Sequence, residues 1–324
     1  MVTSPENSKI NGLTFKELIK RGYSLEGNTR IWNIADSKLW YLEPAQAQGY
    51  LDLENSTNYK DATGQVQSKS LITENIDNII NQIHDDHINI IDLGCGDGTK
   101  AANIVRELKK KKPSLKIRYC PIDISSYMVE KAILTFHSME IDEVIDFQYN
   151  ISDFENLPNV IPFLRRGEYK KNLILLLGNT LGNFEIHELL YKIRSSMKGD
   201  DLFILDTAID DKQQEKRVQS YNNSEVLNKW LIHIPLQLGL EEDEVKIGFR
   251  WKNHRIEGYY TLLVNKEISF HGKEVKFQKG DQIIIIVAYK YDIEDLGVFL
   301  NIHFGTVGVY PSKDNSKVLA ICKK

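Results

Sequence analysis

Cysteine is scarce in this sequence, and long apolar runs are missing. The three cysteines, Cys95, Cys120 and Cys322, show no CxxC spacing, so neither a disulfide framework nor a zinc knuckle is indicated. No stretch approaches the ~20 apolar residues that a membrane span needs. The polar residues 1–7 lack the basic and then apolar order of a signal peptide. We therefore expect a cytoplasmic protein without a membrane partner.

A basic excess is also missing. The sequence carries 41 Lys and Arg against 45 Asp and Glu, a formal net charge of −4, whereas nucleic-acid-binding proteins usually present a basic face. There is no GxSxG nucleophile elbow and no HExxH motif, and the eight histidines show no metal-ligand spacing. These absences argue against a nucleic-acid partner, a serine hydrolase and a resident metal.

Alternating strand and helix patterns fill the middle of the chain. Residues 88–93 form a short apolar run that ends in glycines, as a buried parallel strand should. Further strands are predicted at 116–122, 144–149, 172–177 and 201–206, and helices at 126–136 and 184–197. Alternation over this distance predicts an α/β fold, with a Rossmann-like parallel sheet and helices on both faces.

The two ends of the chain follow other patterns. Residues 1–85 are predicted to form helices near 14–21, 36–52 and 68–84, whereas residues 246–291 alternate like antiparallel strands. We expect an additional α+β domain that covers the substrate. The four predicted segments are an N-terminal helical segment that is part of the lid (1–85), a Rossmann-like core (86–212), an inserted α+β substrate domain (213–285) and C-terminal strands that return to the core (286–324).

A glycine loop follows the first predicted core strand, with the sequence Asp92-Leu-Gly94-Cys-Gly96-Asp-Gly98-Thr-Lys100. Its glycines permit positive φ and let a ligand lie against bare backbone, while the next helix offers free N–H groups. The dinucleotide fingerprint is GxGxxG, but here a strand-ending acid precedes GxGxG, the pattern of S-adenosylmethionine (SAM) enzymes. The loop therefore predicts a SAM site. A nicotinamide oxidoreductase or a purely structural turn is the alternative.

Acidic residues also end the next two predicted strands. Asp123 is placed to accept hydrogen bonds from both ribose hydroxyls, although a helix cap is the other interpretation. Asp153 can accept from the adenine amino group, and Phe154 can pack on the base. Because the carboxyl ends of parallel strands line one crevice, we expect these residues to share a site with the glycine loop.

The fourth predicted strand leads into Gly178-Asn-Thr-Leu-Gly182-Asn183-Phe184. Together with the earlier motifs, this segment resembles the histidine-specific SAM-dependent methyltransferase family. That family includes the histidine Nα-methyltransferases of ergothioneine synthesis and the dimethylallyltryptophan N-methyltransferases of ergot alkaloid synthesis. The resemblance covers about residues 88–225, and it implies a class I methyltransferase sheet with SAM as cofactor.

The resemblance also implies roles for single residues. Lys100 would meet the carboxylate of the cofactor, and Gly178 would begin the stretch that faces its methionine moiety. Asn183 resembles the asparagine that binds the carboxylate of an amino-acid substrate, and Tyr221 resembles the tyrosine that shares it. A plain helix N-cap is the other interpretation of Asn183. The predicted cofactor-binding residues are thus Gly94, Gly96, Lys100, Asp123, Asp153, Phe154 and Gly178.

The sequence departs from the family's histidine enzymes late in the chain. In those enzymes a Glu and a Ser, two residues apart on one strand, hold the imidazole, whereas Ile286 and Ala288 occupy these places here. Two apolar side chains cannot accept a hydrogen bond from a ring N–H, and a buried N–H without an acceptor costs about 1–3 kcal/mol. The sequence therefore favours a more apolar acceptor than histidine.

The predicted function is SAM-dependent methylation, with the amine of an amino acid or related small molecule as acceptor. Alignment of the amine with the methyl group can supply about 7–11 kcal/mol, and a modest shift keeps the amine neutral. We therefore assign no dedicated base. A binding module that keeps the SAM pocket but has lost catalysis is the other possibility, because the Glu and Ser pair is missing.

Overall fold

The structure is a computed structural model that describes residues 10–56, 65–139, 141–146 and 153–324. Contacts within the chain divide it into two compact units. The accessory unit comprises Met1–Leu53 and Lys212–Tyr289, and the core unit comprises Glu54–Asp211 and Lys290–Lys324. The roles predicted for the four sequence segments, a lid and a substrate domain among them, stay predictions.

The secondary structure is numbered here in chain order. The strands are β1 (Tyr23–Glu26), β2 (Thr29–Asn33), β3 (His87–Leu93), β4 (Lys116–Ile122), β5 (Glu143–Val144), β6 (Lys171–Leu176), β7 (Leu202–Ala208), β8 (Val245–Lys252), β9 (Arg255–Leu262), β10 (Lys266–Phe270), β11 (Lys273–Phe277), β12 (Gln282–Tyr289), β13 (Thr306–Pro311) and β14 (Lys317–Lys323). The helices are α1 (Gly12–Arg21), α2 (Pro44–Asn55), α3 (Gln65–Ile80), α4 (Thr99–Lys111), α5 (Ser126–His137), α6 (Leu157–Leu164), α7 (Ile186–Ser196), α8 (Gln214–Asn222), α9 (Glu225–Leu231), α10 (His233–Gln237) and α11 (Ile293–His303).

The core unit contains a seven-stranded sheet in the order β13-β14-β7-β6-β3-β4-β5. The pairs among β7, β6, β3, β4 and β5 are parallel, whereas β14 runs antiparallel to both β7 and β13. This order, with one reversed strand next to the last position, is the class I methyltransferase sheet. The predicted fold class is confirmed. The end of the chain forms the antiparallel pair β13 and β14 at the edge of this sheet.

Strand β3 shows why the apolar runs of the core are continuous. Its side chains alternate between two hydrophobic cores, with Ile88 and Ile90 in one and Ile91 and Leu93 in the other. A parallel strand that is covered on both faces has no solvent side, and the two polar residues inside it, Asn89 and Asp92, are buried and hydrogen-bonded to other side chains. Helices on both faces of the sheet bury these cores, and the strand ends beyond them are left to carry polar groups.

The accessory unit contains a five-stranded sheet, β1-β2-β12-β9-β8, and the separate hairpin β10-β11. Helices α1, α2 and α3 overlap the three helices predicted for residues 1–85, but Tyr23–Glu26 and Thr29–Asn33 form an antiparallel hairpin that the prediction did not include. Strand β2 then pairs in parallel with β12. All four residues of β1 are exposed, so burial does not follow the apolar and polar alternation of this short segment.

The C-terminal segment also differs from its prediction, because the helix α11 lies between the expected strands. Asp292 caps this helix, accepting from the backbone N–H of Asp295 at 2.8 Å. The predicted strand 144–149 is described only at Glu143–Val144, and Asn150 lies outside the described residues. In the described parts of the chain, no helix is long and apolar enough to cross a membrane.

Candidate functional site

The glycine loop leaves β3 at Leu93 and is tied to the neighbouring strand. The N–H of Gly94 donates to the carbonyl of Ile122 at 2.8 Å. Gly94, Gly96 and Gly98 have φ of 66°, 52° and 78°, which are left-handed conformations that favour glycine. A Cβ built on Gly96 would meet nothing within 4 Å. The backbone of Gly96 therefore borders open space, as a loop that receives a ligand requires.

Gly98 has a different role in the same loop. A Cβ on this residue would lie 3.0 Å from the Cα and 3.3 Å from the carbonyl oxygen of Ala132. Since Gly98 precedes the first residue of α4, it allows the start of α4 to lie against the backbone of α5. Gly98 thus serves packing between two helices, and Gly96 leaves room at the crevice.

The two glycines predict different responses to alanine. Gly98→Ala should lower the free energy of unfolding by about 2–3 kcal/mol, since it combines left-handed strain with a clash against backbone. Gly96→Ala should lower it by only about 1 kcal/mol and should weaken the binding of S-adenosylhomocysteine (SAH). Urea unfolding and calorimetry measure the two effects, with Gly199→Ala as the control at an open position without positive φ. Equal loss of stability in both loop variants would contradict this division.

Asp123 joins the glycine loop to the end of β4. Its Oδ1 accepts from the N–H of Ser125 at 3.0 Å, and its Oδ2 accepts from the N–H of Gly96 at 3.4 Å. Burial raises the pKa of Asp123 to about 6, although these backbone donors oppose the shift. Ser125 occupies the N-cap position of α5 without a side-chain cap bond. Asp123 is therefore a buried carboxyl group at the end of β4 that accepts hydrogen bonds from the backbone on both of its oxygens.

The raised pKa of Asp123 predicts that cofactor binding depends on pH. Ribose hydroxyls are bound best by the ionised carboxylate, which is lost as the pH falls through about 6. The affinity for SAH should then decrease about tenfold between pH 7 and pH 5. Calorimetry across this range tests the prediction, and Asp123→Asn should bind SAH weakly with little pH dependence. A pH dependence that survives in this variant would assign the titration to another group.

Phe154 lies beside the loop at the third strand end. It is 8% exposed, and its Cζ is 3.6 Å from the position that a Cβ on Gly94 would take. Its ring also contacts that of Phe184, with centroids 5.2 Å apart. Asp153 precedes it and is partly buried. The structure thus brings Gly94, Phe154 and Phe184 together, and Gly94 lacks a side chain where the Phe154 ring lies.

Lys100 and Gly178 meet at the end of β6. Gly178 has φ of 89°, and a Cβ on it would lie 3.4 Å from Nζ of Lys100. The N–H of Gly178 donates to Oδ2 of Asp206 at 3.3 Å. The ammonium of Lys100 also donates to the carboxylate of Glu54. A lysine that sits against bare backbone at this edge is suited to bind the carboxylate of a ligand.

Three acids of the site were not among the predicted binding residues. Asp92, which ends β3, is buried, and its pKa is raised to about 7 by burial although Tyr119 O–H donates to it at 2.8 Å. Asp206 of β7 accepts a hydrogen bond from the N–H of Gly178, and Glu54 of α2 accepts one from the ammonium of Lys100. A position at a strand end could have indicated Asp206, whereas no local pattern marks Glu54.

Asn183 lies at the end of a short 3₁₀ helix, Thr180–Asn183. Its interpretation as an N-cap is wrong, because Glu185 caps α7 and accepts from the N–H of Glu188 at 2.8 Å. The side chain of Asn183 is partly buried and makes no hydrogen bond to any part of the chain that the structure describes. Its amide therefore keeps both donor and acceptor capacity for a ligand.

A family model for histidine-specific, SAM-dependent methyltransferases matches residues 66–323. The chain belongs to this family. It is therefore a SAM-dependent methyltransferase, and the nicotinamide alternative no longer applies. Among proteins of curated function, none matches the sequence.

Solved structures with a similar fold include several methyltransferases. A SAM-dependent methyltransferase from Clostridium acetobutylicum is 16% identical over 85% of this chain and 98% of its own, with a TM-score of 0.43. A putative methyltransferase from Thermobifida fusca is 9% identical over 87% and 94%, with a TM-score of 0.44. The protein DhpI, solved with SAH, is 11% identical over 88% and 96%, with a TM-score of 0.40.

Ile286 and Ala288, which are predicted to replace the Glu and Ser of the histidine enzymes, lie in the accessory unit. Ile286 is buried on β12 and pairs with Gly258 of β9. A Cβ on Gly258 would lie 2.8 Å from Cε1 of Phe249 and 3.3 Å from Cβ of Ile286. Ala288, two residues further along β12, shares the face of Ile286. These residues form an apolar surface on one face of the accessory sheet.

Tyr221 lies beside the same apolar surface. Its ring meets that of Phe249 edge-on, with centroids 5.7 Å apart. The neighbouring Asn222 fixes this end of α8, since its Oδ1 accepts from the N–H of Phe249 at 2.7 Å and its Nδ2 donates to the carbonyl of Phe249 at 3.2 Å. Tyr221 thus contacts Phe249, which lies next to Gly258 and Ile286 on the accessory sheet.

Within the described residues, no group of three or more His, Cys, Asp or Glu could hold a metal ion. The three cysteines are buried and unbridged. Cys95 lies inside the glycine loop, where burial raises the pKa of its thiol well above the usual value. A thiol of raised pKa is a poor nucleophile, so the loop binds its ligand without covalent help from Cys95.

Proposed function

We propose that this methyltransferase methylates the amine of an amino acid, or of a closely related small molecule, whose side chain is mainly apolar. Asn183 carries the proposal. It follows Gly178 by five residues, it lies just beyond the strand that borders the cofactor crevice, and its amide makes no hydrogen bond within the described residues. A partly buried amide without a protein partner is suited to bind a ligand carboxylate.

The apolar surface in the accessory unit supports a side chain other than imidazole. Ile286 and Ala288 offer no hydrogen bond, and Phe249 and the bare backbone of Gly258 extend the same apolar face. Burying an imidazole here without partners would cost about 1–3 kcal/mol. An apolar side chain would gain about 25 cal/mol for each Å² removed from water. Tyr221, beside this surface, remains the second predicted carboxylate ligand.

The chemistry needs positioning more than acid–base catalysis. When bound, SAM supplies an electrophilic methyl group on a positively charged sulfur. The residues of the chain bind and orient the two reactants: Asp123 is proposed for the ribose, Lys100 for the cofactor carboxylate and Asn183 for the acceptor. We assign no base, since a neutral amine is reached by a modest desolvation shift. A small-molecule partner and the cytoplasmic location expected from the cysteines complete the proposal.

Acceptor screening followed by mutation of Asn183 tests this function. The enzyme is incubated with methyl-labelled SAM and a panel of amino acids that includes histidine and residues with large apolar side chains. The label should appear on the amine of an apolar member, and labelling of histidine alone would overturn the proposed side-chain preference. If no amine in a broad panel is labelled while SAH binds, the chain is the SAM-binding module that has lost catalysis.

Asn183→Ala should raise the KM of the labelled amino acid about 10- to 100-fold, the effect of losing a hydrogen bond to a charged group. Its affinity for SAH should stay within about twofold. The carboxamide of the same amino acid is the matched control, because its KM should change much less in the variant than that of the acid. An unchanged KM for the acid would remove the carboxylate role of Asn183.

A further inference from the structure

Glu54 stands out among the charged residues near the cofactor crevice. It lies in the last turn of α2, next to the final residue Asn55, where the negative end of the helix dipole disfavours an acidic side chain. Its side chain is only 13% exposed. A carboxylate that is mostly withdrawn from solvent and unfavourably placed on its own helix requires a compensating partner, and the ammonium of Lys100 provides one.

The pair lies at the end of β6 where Gly178 has no side chain. Nζ of Lys100 is 3.4 Å from the point at which a Cβ on Gly178 would stand. Burial lowers the pKa of Lys100, but Glu54 outweighs this effect and holds the pKa above its usual value. The pair therefore places one basic and one acidic side chain in contact beside the bare backbone of Gly178.

Asp97 and Asp206 also raise the pKa of Lys100, but no hydrogen bond joins either of them to its ammonium among the described residues. Oδ1 of Asp97 accepts from the N–H of Thr99 at 3.0 Å. Asp206 accepts from Nζ of Lys317 at 3.1 Å and from the N–H of Gly178 at 3.3 Å. Glu54 is the acid that touches Lys100 itself, so it is the carboxylate placed beside whatever Lys100 binds.

We propose that Glu54 is the binding residue for the α-ammonium of SAM, while Lys100 binds the adjacent carboxylate. The methionine end of the cofactor carries an ammonium and a carboxylate on the same carbon. Its ammonium can therefore face Glu54 while its carboxylate faces Lys100. The four charges then alternate in sign, and each keeps an opposite neighbour when water is excluded. The inference rests on the proposed position of the cofactor in this crevice and does not depend on the identity of the acceptor.

Binding of three ligands without any acceptor tests the assignment. The ligands are SAH, SAH without its amino group, and SAH without its carboxylate, each measured by calorimetry at pH 7.5. Wild type should bind the analogue without the amino group about 10- to 100-fold more weakly than SAH. In Glu54→Gln the affinity for SAH should fall to near that of this analogue, and the analogue itself should bind almost as in wild type.

Lys100→Met is the matched variant for the carboxylate of the cofactor. It should bind SAH with about the same affinity as it binds the analogue that lacks the carboxylate. Asp97→Asn is the control of equal charge change, and the preference for SAH over the analogue without the amino group should survive in it. A wild type that binds SAH and that analogue equally, or a Glu54→Gln variant that weakens both to the same extent, overturns the role of Glu54. The comparison of SAH with the analogue in the wild type tests the proposal even if the Glu54→Gln variant fails to fold. A wild type that binds no SAH at all would reject the cofactor site itself.

Discussion

Replacing Lys317 by methionine is expected to lower the free energy of unfolding by about 3–5 kcal/mol, because it leaves a buried carboxylate without its cation. Lys317 and Asp206 are 2% and 1% exposed. Nζ of Lys317 lies 3.1 Å from Oδ2 of Asp206, and Ser68 also donates to this oxygen at 2.9 Å. Methionine matches the length of the lysine stem, so the loss of charge is the main change.

Urea unfolding of the wild type and two variants measures this effect. Lys313→Met changes an exposed lysine in the turn between β13 and β14, and it should alter stability by no more than about 0.5 kcal/mol. The double variant Lys317→Met with Asp206→Leu removes both charges and should recover part of the loss. If Lys317→Met is no more destabilising than Lys313→Met, the buried pair does not stabilise the fold as the structure indicates.

The same variants link stability to the cofactor crevice. Asp206 accepts from the N–H of Gly178 at 3.3 Å, and Gly178 lies against Lys100. The double variant should therefore bind SAH more weakly than wild type even where its stability is restored, since the turn after β6 loses its anchor. A double variant that binds SAH as well as wild type would show that the turn holds its shape without Asp206.

The strand ends of the core could be predicted from sequence because two local signals coincide there. Apolar runs such as 88–93 identify buried parallel strands, and the glycines or acids that follow them identify the crevice. Gly94, Asp123 and Gly178 could therefore be placed before the fold was known. The parallel topology then brings these strand ends to one edge of the sheet. The positions that the local sequence pattern marks are thus the ones that the sheet topology brings to one edge.

Glu54 and Ser68 could not be predicted in this way. Each acts on a residue that is distant in the chain, Lys100 and Asp206, and neither belongs to a motif or a strand end. Their roles depend on where α2 and α3 pack, which no short sequence pattern records. The hairpin β1-β2 was missed for the same reason, since β2 gains its partner β12 from a segment about 250 residues later.

Asn183 shows the intermediate case. Its position before a helix made an N-cap as reasonable as a binding role, and only the structure shows that Glu185 is the cap. The family resemblance indicated the binding role, and the geometry removed the competing one. Local sequence patterns thus located the glycine loop and the strand ends of the core, whereas the surroundings of Tyr221, Ile286 and Ala288 depend on contacts between the distant segments α8, β8, β9 and β12.

Asp92→Asn is expected to stabilise the enzyme at pH 8 by about 1–3 kcal/mol and to change its stability little at pH 5. Burial raises the pKa of Asp92 to about 7, against 3.8 for an ordinary aspartate. The folded state therefore holds a proton on Asp92 that the unfolded state releases above about pH 4. As the pH rises through 7, the folded state must carry a buried charge, and its stability falls by up to about 4 kcal/mol.

The asparagine variant lacks this titration but keeps an oxygen that can accept from Tyr119 O–H, as the carboxylate does at 2.8 Å. Its amide N–H₂ needs a partner, which reduces the gain. Urea unfolding at pH 5, 6, 7 and 8 without cofactor should therefore show a difference between variant and wild type that grows with pH. Asp123, with its pKa of about 6, also titrates in this range, and its charge contributes to the raised pKa of Asp92. Tyr119→Phe is the complementary variant: it removes the donor that favours the carboxylate, so it should destabilise the enzyme more at pH 8 than at pH 5. A difference between Asp92→Asn and wild type that is constant across this range would mean that Asp92 is already ionised in the folded enzyme, and that the glycine loop lies beside a permanent negative charge.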